Sequence, residues 1–336
     1  MKIIIDTLSI SFKFNAVNLL YKLLHLQEVQ FQDLRARNYD RGAYYDGIII
    51  AYNMDQYGFI TDTFLDISGK GCRTVEQLSD CSFDWFGFLH FFDKQIHSRQ
   101  VHISRIDIAC DLDDTDTEVP FDRFYKYAYH DMFVCKSKVL PKIVIKRNEV
   151  IYFGSEKSDR LLRIYNKALQ MNLPDTYWIR MEFQLRNDNA TSFYLNWVEY
   201  QAKGIGWLFR GIMLDYLRFV DGDPEKVRLM KAQKNQKLLP TAKWWAKLLD
   251  DAVKIPQLYL PGEEYTLERL DHYVKKNISS TLHTYAIAHD GDIGDLIDAV
   301  RHCKLNPKQK VLLHTLERSK RANLNPTDFE DEDFDS

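Results

Sequence analysis

The chain has 336 residues, 45% of them apolar, with 45 Lys plus Arg against 48 Asp plus Glu and a formal charge of −3. That composition excludes a disordered or fibrous chain, and no apolar run approaches the ~18–20 residues of a membrane span. The five cysteines are scattered and form no CxxC, which argues against a zinc ribbon or disulfide framework and suits a reducing cytoplasm.

The charge is unevenly placed. Residues 328–336 hold six carboxylates, so residues 1–321 carry 45 basic against 42 acidic residues. A mildly basic body of +3 therefore lies behind an acidic tail. The start, MKIIIDTLSISFKF, turns polar at Asp6 and has neither a long apolar core nor a small-residue cleavage site, so no secretory signal is expected.

In chain order, residues 2–14 read as a strand. Residues 15–38 carry leucines at near-helical spacing and read as a helix. Tyr44–Asn53 and Gly58–Ser68 are rich in β-branched and aromatic residues and read as a hairpin. Gly69-Lys70-Gly71 reads as a turn, and Val75–Asp93 as a helix entered through Thr74. Strands are expected at 101–113, 161–168 and 177–187, a strand or hairpin at 142–154, and a helix at 121–133. A long helix is expected from Asn189 towards Phe219. Beyond Asp221-Gly222-Asp223-Pro224 strand signal nearly vanishes and the pattern is helical.

The fold class expected is α+β. It comprises two antiparallel-sheet subdomains with helices on one face, a pseudo-duplicated RRM-like pair, followed by a small helical C-terminal domain. The expected boundaries are 1–100 for an N-terminal scaffold subdomain, 101–222 for a catalytic subdomain, 223–321 for the helical domain and 322–336 for a disordered acidic tail.

Three strands carry the functional signal. Alternate side chains of a strand point to opposite faces. In 103–111, Ile106, Ile108 and Cys110 oppose Arg105, Asp107, Ala109 and Asp111. In 161–167, Leu162 and Ile164 oppose Arg163, Tyr165 and Lys167. In 178–186, Ile179, Met181, Phe183 and Leu185 oppose Arg180, Glu182, Gln184 and Arg186. Any one of these is an ordinary half-buried strand with a solvated face. Side by side they make one surface of carboxylates, guanidinium groups and a phenol. Carboxylates hold hard divalent ions, guanidinium groups bind phosphate, and a phenol can attack phosphorus once it is activated.

Four segments then carry a resemblance: LDISGKGCR (65–73), SRIDIACDLDD (104–114), IYFGSEKSDRLLRIYNKALQ (151–170) and WIRMEFQLRND (178–188). In order and spacing they resemble the replication initiation factor (Rep_trans) family, which groups rolling-circle replication initiators with transposon-type conjugative relaxases. The resemblance covers about 1–220. It implies a metal-dependent enzyme that nicks and rejoins one strand at the origin of a mobile element. Tyr165 would be the nucleophile, giving a 5′-phosphotyrosine and a free 3′-hydroxyl. Arg163 and Lys167 would flank the phosphate. Asp107 and Glu182, with Asp111 third, would ligate Mg²⁺ or Mn²⁺. Arg105, Arg180 and Arg186 would contact the DNA backbone or pair with the carboxylates. None of the ten histidines has the paired spacing of many rolling-circle nickases, so the metal site expected is acidic. The partners implied are origin DNA (single-stranded or cruciform at the nick, duplex alongside), a second copy of the chain and a host helicase, with no membrane and a cytoplasmic location. A conjugative relaxase with the same chemistry, a nuclease that uses water, and a non-catalytic origin-binding protein are the alternatives.

Three further features call for a reading. Lys70 and Arg73 could supply a phosphate nest around Gly69-Lys70-Gly71, or the segment is a simple turn. Trp244 and Trp245, set among lysines, could stack on unpaired bases or pack in a helix core. Residues 301–321, with Lys308 and Lys310, have a net charge of +6 and could form an origin-binding patch or a solvated helix face.

Overall fold

The computed structural model describes residues 2–34, 38–112, 119–137, 139–144, 149–173, 175–249, 271, 274–303 and 313. The chain divides into two compact units, Met1–Leu260 and Pro261–Ser336.

Ten strands of the first unit form one sheet: β1 (Lys2–Phe12), β2 (Gln32–Leu34), β3 (Arg41–Tyr45), β4 (Ile48–Met54), β5 (Ile60–Ile67), β6 (Val101–Leu112), β8 (Lys142–Val144), β9 (Val150–Phe153), β10 (Arg160–Asn166) and β11 (Ile179–Arg186). Their order is β2-β3-β4-β5-β1-β6-β11-β10-β9-β8, and every pairing is antiparallel. Each half places its first strand at the centre, its last strand beside that, and the others outward in descending order. The two expected antiparallel halves are therefore present with one topology. They are joined into a single sheet because β1 pairs with β6 along most of its length.

Alternation decides what each face carries. Leu8, Ile10 and Phe12 of β1 pair with Ile106, Ile103 and Val101 of β6, which puts them on the apolar face. They belong to one buried cluster with Leu65, Ile67, Ile164, Met181 and Phe183 and with the helix residues Leu20, Val75, Phe193 and Phe209. Those helices are α1 (Val17–Leu23), α2 (Gly69–Leu78), α7 (Asp188–Glu199) and α8 (Gly204–Tyr216). Burial of this cluster supplies the main driving force for the unit. The remaining helices of the first unit are α3 (Trp85–Phe91), α4 (Asp93–His97), α5 (Phe121–Tyr129), α6 (Lys167–Gln170), α9 (Pro224–Ala232) and α10 (Lys243–Leu248). A small second sheet pairs β7 (Phe133–Cys135) with β12 (Leu217–Phe219).

Several local expectations are corrected. The run Tyr44–Asn53 is not one strand but the end of β3 and most of β4, joined at Asp46-Gly47. Both turn residues have positive φ, 43° and 90°, the backbone that a two-residue hairpin needs to match strand twist. The Gly69-Lys70-Gly71 segment is the first turn of α2 rather than a turn between strands. Ser68 caps it by accepting from Gly71 N, and Gly71 packs so tightly that a Cβ there would lie 2.4 Å from Gly47 O. The expected helix over 75–93 therefore starts earlier and breaks at Asp80-Cys81, where φ is 51° and 59°. The helix expected over 15–38 ends at Leu23, because His25 (φ 56°) turns the chain so that Leu24 and Leu26 both bury. The helix expected from 189 to 219 divides at Gly204 (φ 76°) into α7 and α8 and ends in β12.

Trp245 is a core residue and Trp244 is half-buried against the core. Trp245 is fully buried, and both rings pack edge-on or tilted against Phe124 and Phe219. In the second unit the described α-helices are α11 (Ser279–Ala288), which follows a π-helical turn at Val274–Ile278, and α12 (Gly294–His302), the two separated by Asp290-Gly291 at positive φ. Lys308, Lys310, most of the 301–321 run and the acidic tail lie outside the described residues.

Candidate active site

The pairing of β6, β11 and β10 brings the three polar strand faces together. Glu182 sits opposite Ala109 on one side and Arg163 on the other, and Arg180 sits opposite Asp111 and Tyr165. Asp107, Asp111, Arg180 and Glu182 are nonetheless buried, at 0%, 4%, 6% and 4% exposure. Buried charges persist only when paired, and here each has a partner.

Arg105 grips Asp107 with two bonds of 2.8 and 2.5 Å. Arg163 joins the two halves of the acidic set, bonding Glu182 Oε1 closely and reaching Asp107 at 3.4 Å. The Arg163 Nε–H has no partner among the described residues although it is buried, so a donor is left over in the site. The Tyr165 hydroxyl donates to Glu182 Oε2 at 2.9 Å. Arg180 grips Asp111 at 2.6 and 2.8 Å and extends its remaining nitrogen to Asp6 at 3.0 Å.

A cavity of ≈ 350 Å³ opens on this set, lined among others by Asp6, Thr7, Arg105, Arg163, Tyr165 and Glu182, with Tyr152, Lys167 and Gln170 at its side. Lys167 lies 5.9 Å from the Tyr165 ring centroid and donates to Gln170 at 2.7 Å.

The electrostatics follow from burial. Desolvation is the main reason the Glu182 carboxyl is raised, to about 7; Asp6 and Asp107 push it further up while Arg163 pulls it down. Tyr165 is raised far above an ordinary phenol, first by burial and then by the Glu182 charge, with Arg180 opposing. Lys167 is lowered by burial and by Arg180. The resting phenol is thus protonated and hydrogen-bonded to the group best placed to take its proton.

Asp6 and Thr7 are the contributions that strand reading missed. The β1–β6 register shifts between Ile5 and Thr7, and a bulge of this kind lets neighbouring residues face the same side. Both residues then line the cavity. The sequence signal was a lone carboxylate breaking the Ile3-Ile4-Ile5 run.

The other expected residues lie as follows. Asp111 is held by Arg180 and does not line the cavity. Arg186 stands opposite Arg105 in register, on the same face. Lys70 pairs with Asp46, and Arg73 donates to Ile5 O at 2.7 Å and to Glu76 at 2.8 Å, so both engage protein groups at α2.

Among the described residues, no three carboxylate, imidazole or thiol groups form a ready cage for an ion. The donor chemistry still fits a hard divalent cation. Asp107 and Glu182 are oxygen donors bridged by one guanidinium; Glu182 and Asp6 line the cavity, while Asp107 is fully buried with both oxygens held by Arg105.

The comparisons with known proteins agree with this picture. Residues 101–300 match the family model described as replication initiation factor. Residues 2–91 match the model described as the N-terminal domain of rolling circle replication initiation proteins. Among solved structures, the chain is similar in fold to the rolling circle replication initiator protein from Geobacillus stearothermophilus, with a TM-score of 0.57 and 24% identity over 76% of this chain and 98% of that one. No curated protein matches the chain.

Proposed function

We propose a mechanism from one premise: this chain belongs to the replication initiation factor family and initiates rolling-circle replication, nicking and rejoining origin DNA. The observation that carries the proposal is the Tyr165–Glu182 hydrogen bond inside a cavity walled by Arg105 and Arg163.

In this reading Tyr165 Oη attacks the phosphorus of the scissile phosphodiester. Its proton passes to Glu182 Oε2, the O–P bond to tyrosine forms, and the P–O3′ bond breaks. A 5′-phosphotyrosine remains on the protein. Lys167, whose lowered pKa makes it the readier acid, returns a proton to the departing 3′ oxygen. Arg163 and Arg105 face the phosphate, and the spare Arg163 Nε–H is a donor for one of its oxygens. Rejoining runs the same steps backwards, with a 3′-hydroxyl as the attacking group.

Glu182 and Asp6, which line the cavity, with Asp107 beside Glu182 on Arg163, are the residues that would hold Mg²⁺ or Mn²⁺, which would polarise the scissile phosphate. Arg180 and Asp111 act by tying β11, the strand paired with the one that carries Tyr165, to β6. Residues 1–100 serve as the scaffold half and 101–222 as the nicking half. The substrate is single-stranded or cruciform at the nick with duplex alongside, and a second copy of the chain and a host helicase complete the working assembly.

Mass spectrometry of nicked origin DNA tests the chemistry. A phosphotyrosyl adduct on the peptide containing Tyr165, absent from Tyr165→Phe, is expected. Nicking without any adduct would transfer the reaction to a water nucleophile.

A further inference from the structure

Two aromatic rings stand where the fold gives them nothing to pack on. Tyr57 and Phe59 flank Gly58 at the tip of the β4–β5 hairpin and are 76% and 71% exposed. The tip is a built turn. Asp55 Oδ1 accepts from the backbone N–H of both Tyr57 and Phe59, each at 2.9 Å. Gly58 N donates to Asp55 O at 3.0 Å, and Asp55 N to Phe59 O at 2.9 Å. The backbone under the rings is therefore fixed in advance, which lowers the ordering cost of using them.

The surroundings decide what the rings fit. The residues beside them, Gln56, Gly58 and Thr61, are exposed, and the Asp62 carboxylate is taken by Asn53 and Thr61. Two rings on a polar tip fall well short of the roughly 800 Å² per partner that a stable protein interface takes. They suffice to stack on one or two nucleobases, a contact that tolerates any sequence because every base has a π-face. The carboxylates nearest the tip, Asp40, Asp55 and Asp62, are each engaged by protein donors, and cations lie further back along the same end of the sheet. Arg41, Tyr52, Thr63 and Phe12 follow one another across β3, β4, β5 and β1. The exposed Lys13 succeeds Phe12, so Lys13 and Arg41 share this end of the sheet with the tip.

We propose that the Tyr57–Phe59 tip is a second DNA contact, stacking on bases of the origin that become unpaired away from the nick, with Lys13 and Arg41 at the flanking phosphates. The proposal rests on the reading that the chain works on origin DNA. Register gives its place. Tyr165 lies in the row of Arg180, Asp111 and Lys2. Running from Lys2 to Phe12, and on from Thr63 to Phe59, covers on the order of 45 Å at about 3.3 Å per residue. That is roughly 13 stacked nucleotides.

The test uses the full chain with Tyr57→Ala/Phe59→Ala, two changes at exposed positions. Nicking is measured on a supercoiled plasmid carrying the origin and on a single-stranded oligonucleotide carrying only the nick sequence. The double variant is expected to lose about tenfold or more on the plasmid and to stay within about twofold on the oligonucleotide, with Tyr57→Trp/Phe59→Trp restoring the plasmid rate. A 2-aminopurine scan of the bound origin is expected to show a stacked base roughly 13 nucleotides from the nick, absent with the alanine variant. Equal plasmid nicking by variant and wild type overturns the proposal, and so does an equal fall on both substrates. If the wild type nicks without leaving a phosphotyrosyl adduct, the Tyr165 mechanism fails instead, and the 2-aminopurine scan still decides the tip.

Discussion

The two halves of the sheet are built alike and used differently. In each, the first strand is central and the last lies beside it, and each has its apolar face under helices. On the polar face of β10 and β11 the second half places Arg163, Tyr165, Arg180 and Glu182. The corresponding strands of the first half, β4 and β5, place Ala51, Asn53, Asp62 and Phe64. Phe64 is covered by a parallel Tyr39 ring at 5.4 Å, and Asn53 is bonded to Asp62. One copy thus satisfies its polar face internally: its carboxylates Asp62 and Asp66 accept from the uncharged Asn53, Thr61 and Ser9, and Phe64 stacks on Tyr39. The other stores buried charge that balances only as a network and leaves one donor over. A fold of this kind specifies a flat, paired surface, and chemistry depends on what a few face-matched positions carry.

The sharpest way to test that division is to remove the nucleophile. Tyr165→Phe keeps the ring and its packing and deletes only the hydroxyl that bonds Glu182. Nicking of supercoiled origin DNA should fall by about 10⁴-fold or more, with no covalent adduct. Asn53→Ala on the matching strand of the first half should leave the rate within about twofold. A comparable loss from Asn53→Ala would break the division between the halves.

Glu182→Gln comes next. It preserves shape and the bond from Tyr165 but cannot take a proton, so nicking should fall by about 10²–10³-fold. The wild-type rate should rise with pH through about 7 as the Glu182 carboxyl ionises, and the variant should lack that limb. Stability has the opposite sign. A carboxyl with a raised folded pKa favours the protonated fold, so its contribution is complete below the unfolded value and is lost as pH rises through about 7. Between pH 6 and 8 this group should cost the wild type roughly 1.4 kcal/mol in urea melts. A Glu182→Gln protein with the same slope would place the ionisation elsewhere.

The first half should respond in stability and not in chemistry. Gly71→Ala would set a methyl group 2.4 Å from Gly47 O, backbone against backbone, where neither side can yield cheaply. A loss of about 1–3 kcal/mol is expected in denaturant melts, with the nicking rate per folded molecule unchanged. A variant that kept its stability but lost nicking would give α2 a direct part in the reaction.

Much of this was legible in the sequence, for a physical reason. Period-two alternation sorts side chains to faces without any tertiary knowledge, so the polar sets of 103–111, 161–167 and 178–186 could be read as three candidate faces. Which residues meet across strands depends on register, and register is a property of the assembled sheet. The bonds of Tyr165 and Arg163 to the two oxygens of Glu182, and the capture of Asp111 by Arg180, could not be read for that reason. The Gly69-Lys70-Gly71 helix was hidden by its own composition. Glycines that ordinarily mark a turn are required here by the close approach of Gly47, which lies more than twenty residues away in the chain. The Asp46-Gly47 hairpin, by contrast, carried a local signal that a strand assignment from apolar content alone passed over.

Asp6 is where the comparison between the halves is least clean. It belongs to the first half by chain position, yet the bulge in β1 turns it into the cavity of the second. There its carboxylate accepts from Arg180 at 3.0 Å and adds to the negative charge that raises Glu182. Asp6→Asn keeps a hydrogen-bond acceptor for Arg180 and removes only the charge. Arg180 retains both bonds to Asp111, so melts should shift by no more than about 1 kcal/mol. With one fewer carboxylate beside it, Glu182 should ionise at lower pH, and the rising limb of the nicking profile should move in that direction. If Asp6 also helps hold the divalent ion, the Mg²⁺ concentration needed for half-maximal nicking should rise about tenfold at fixed pH. A shifted pH limb with an unchanged Mg²⁺ requirement would confine Asp6 to tuning Glu182. A raised Mg²⁺ requirement would make the scaffold half a contributor of a ligand, and the two copies would then share the chemistry across the β1–β6 seam.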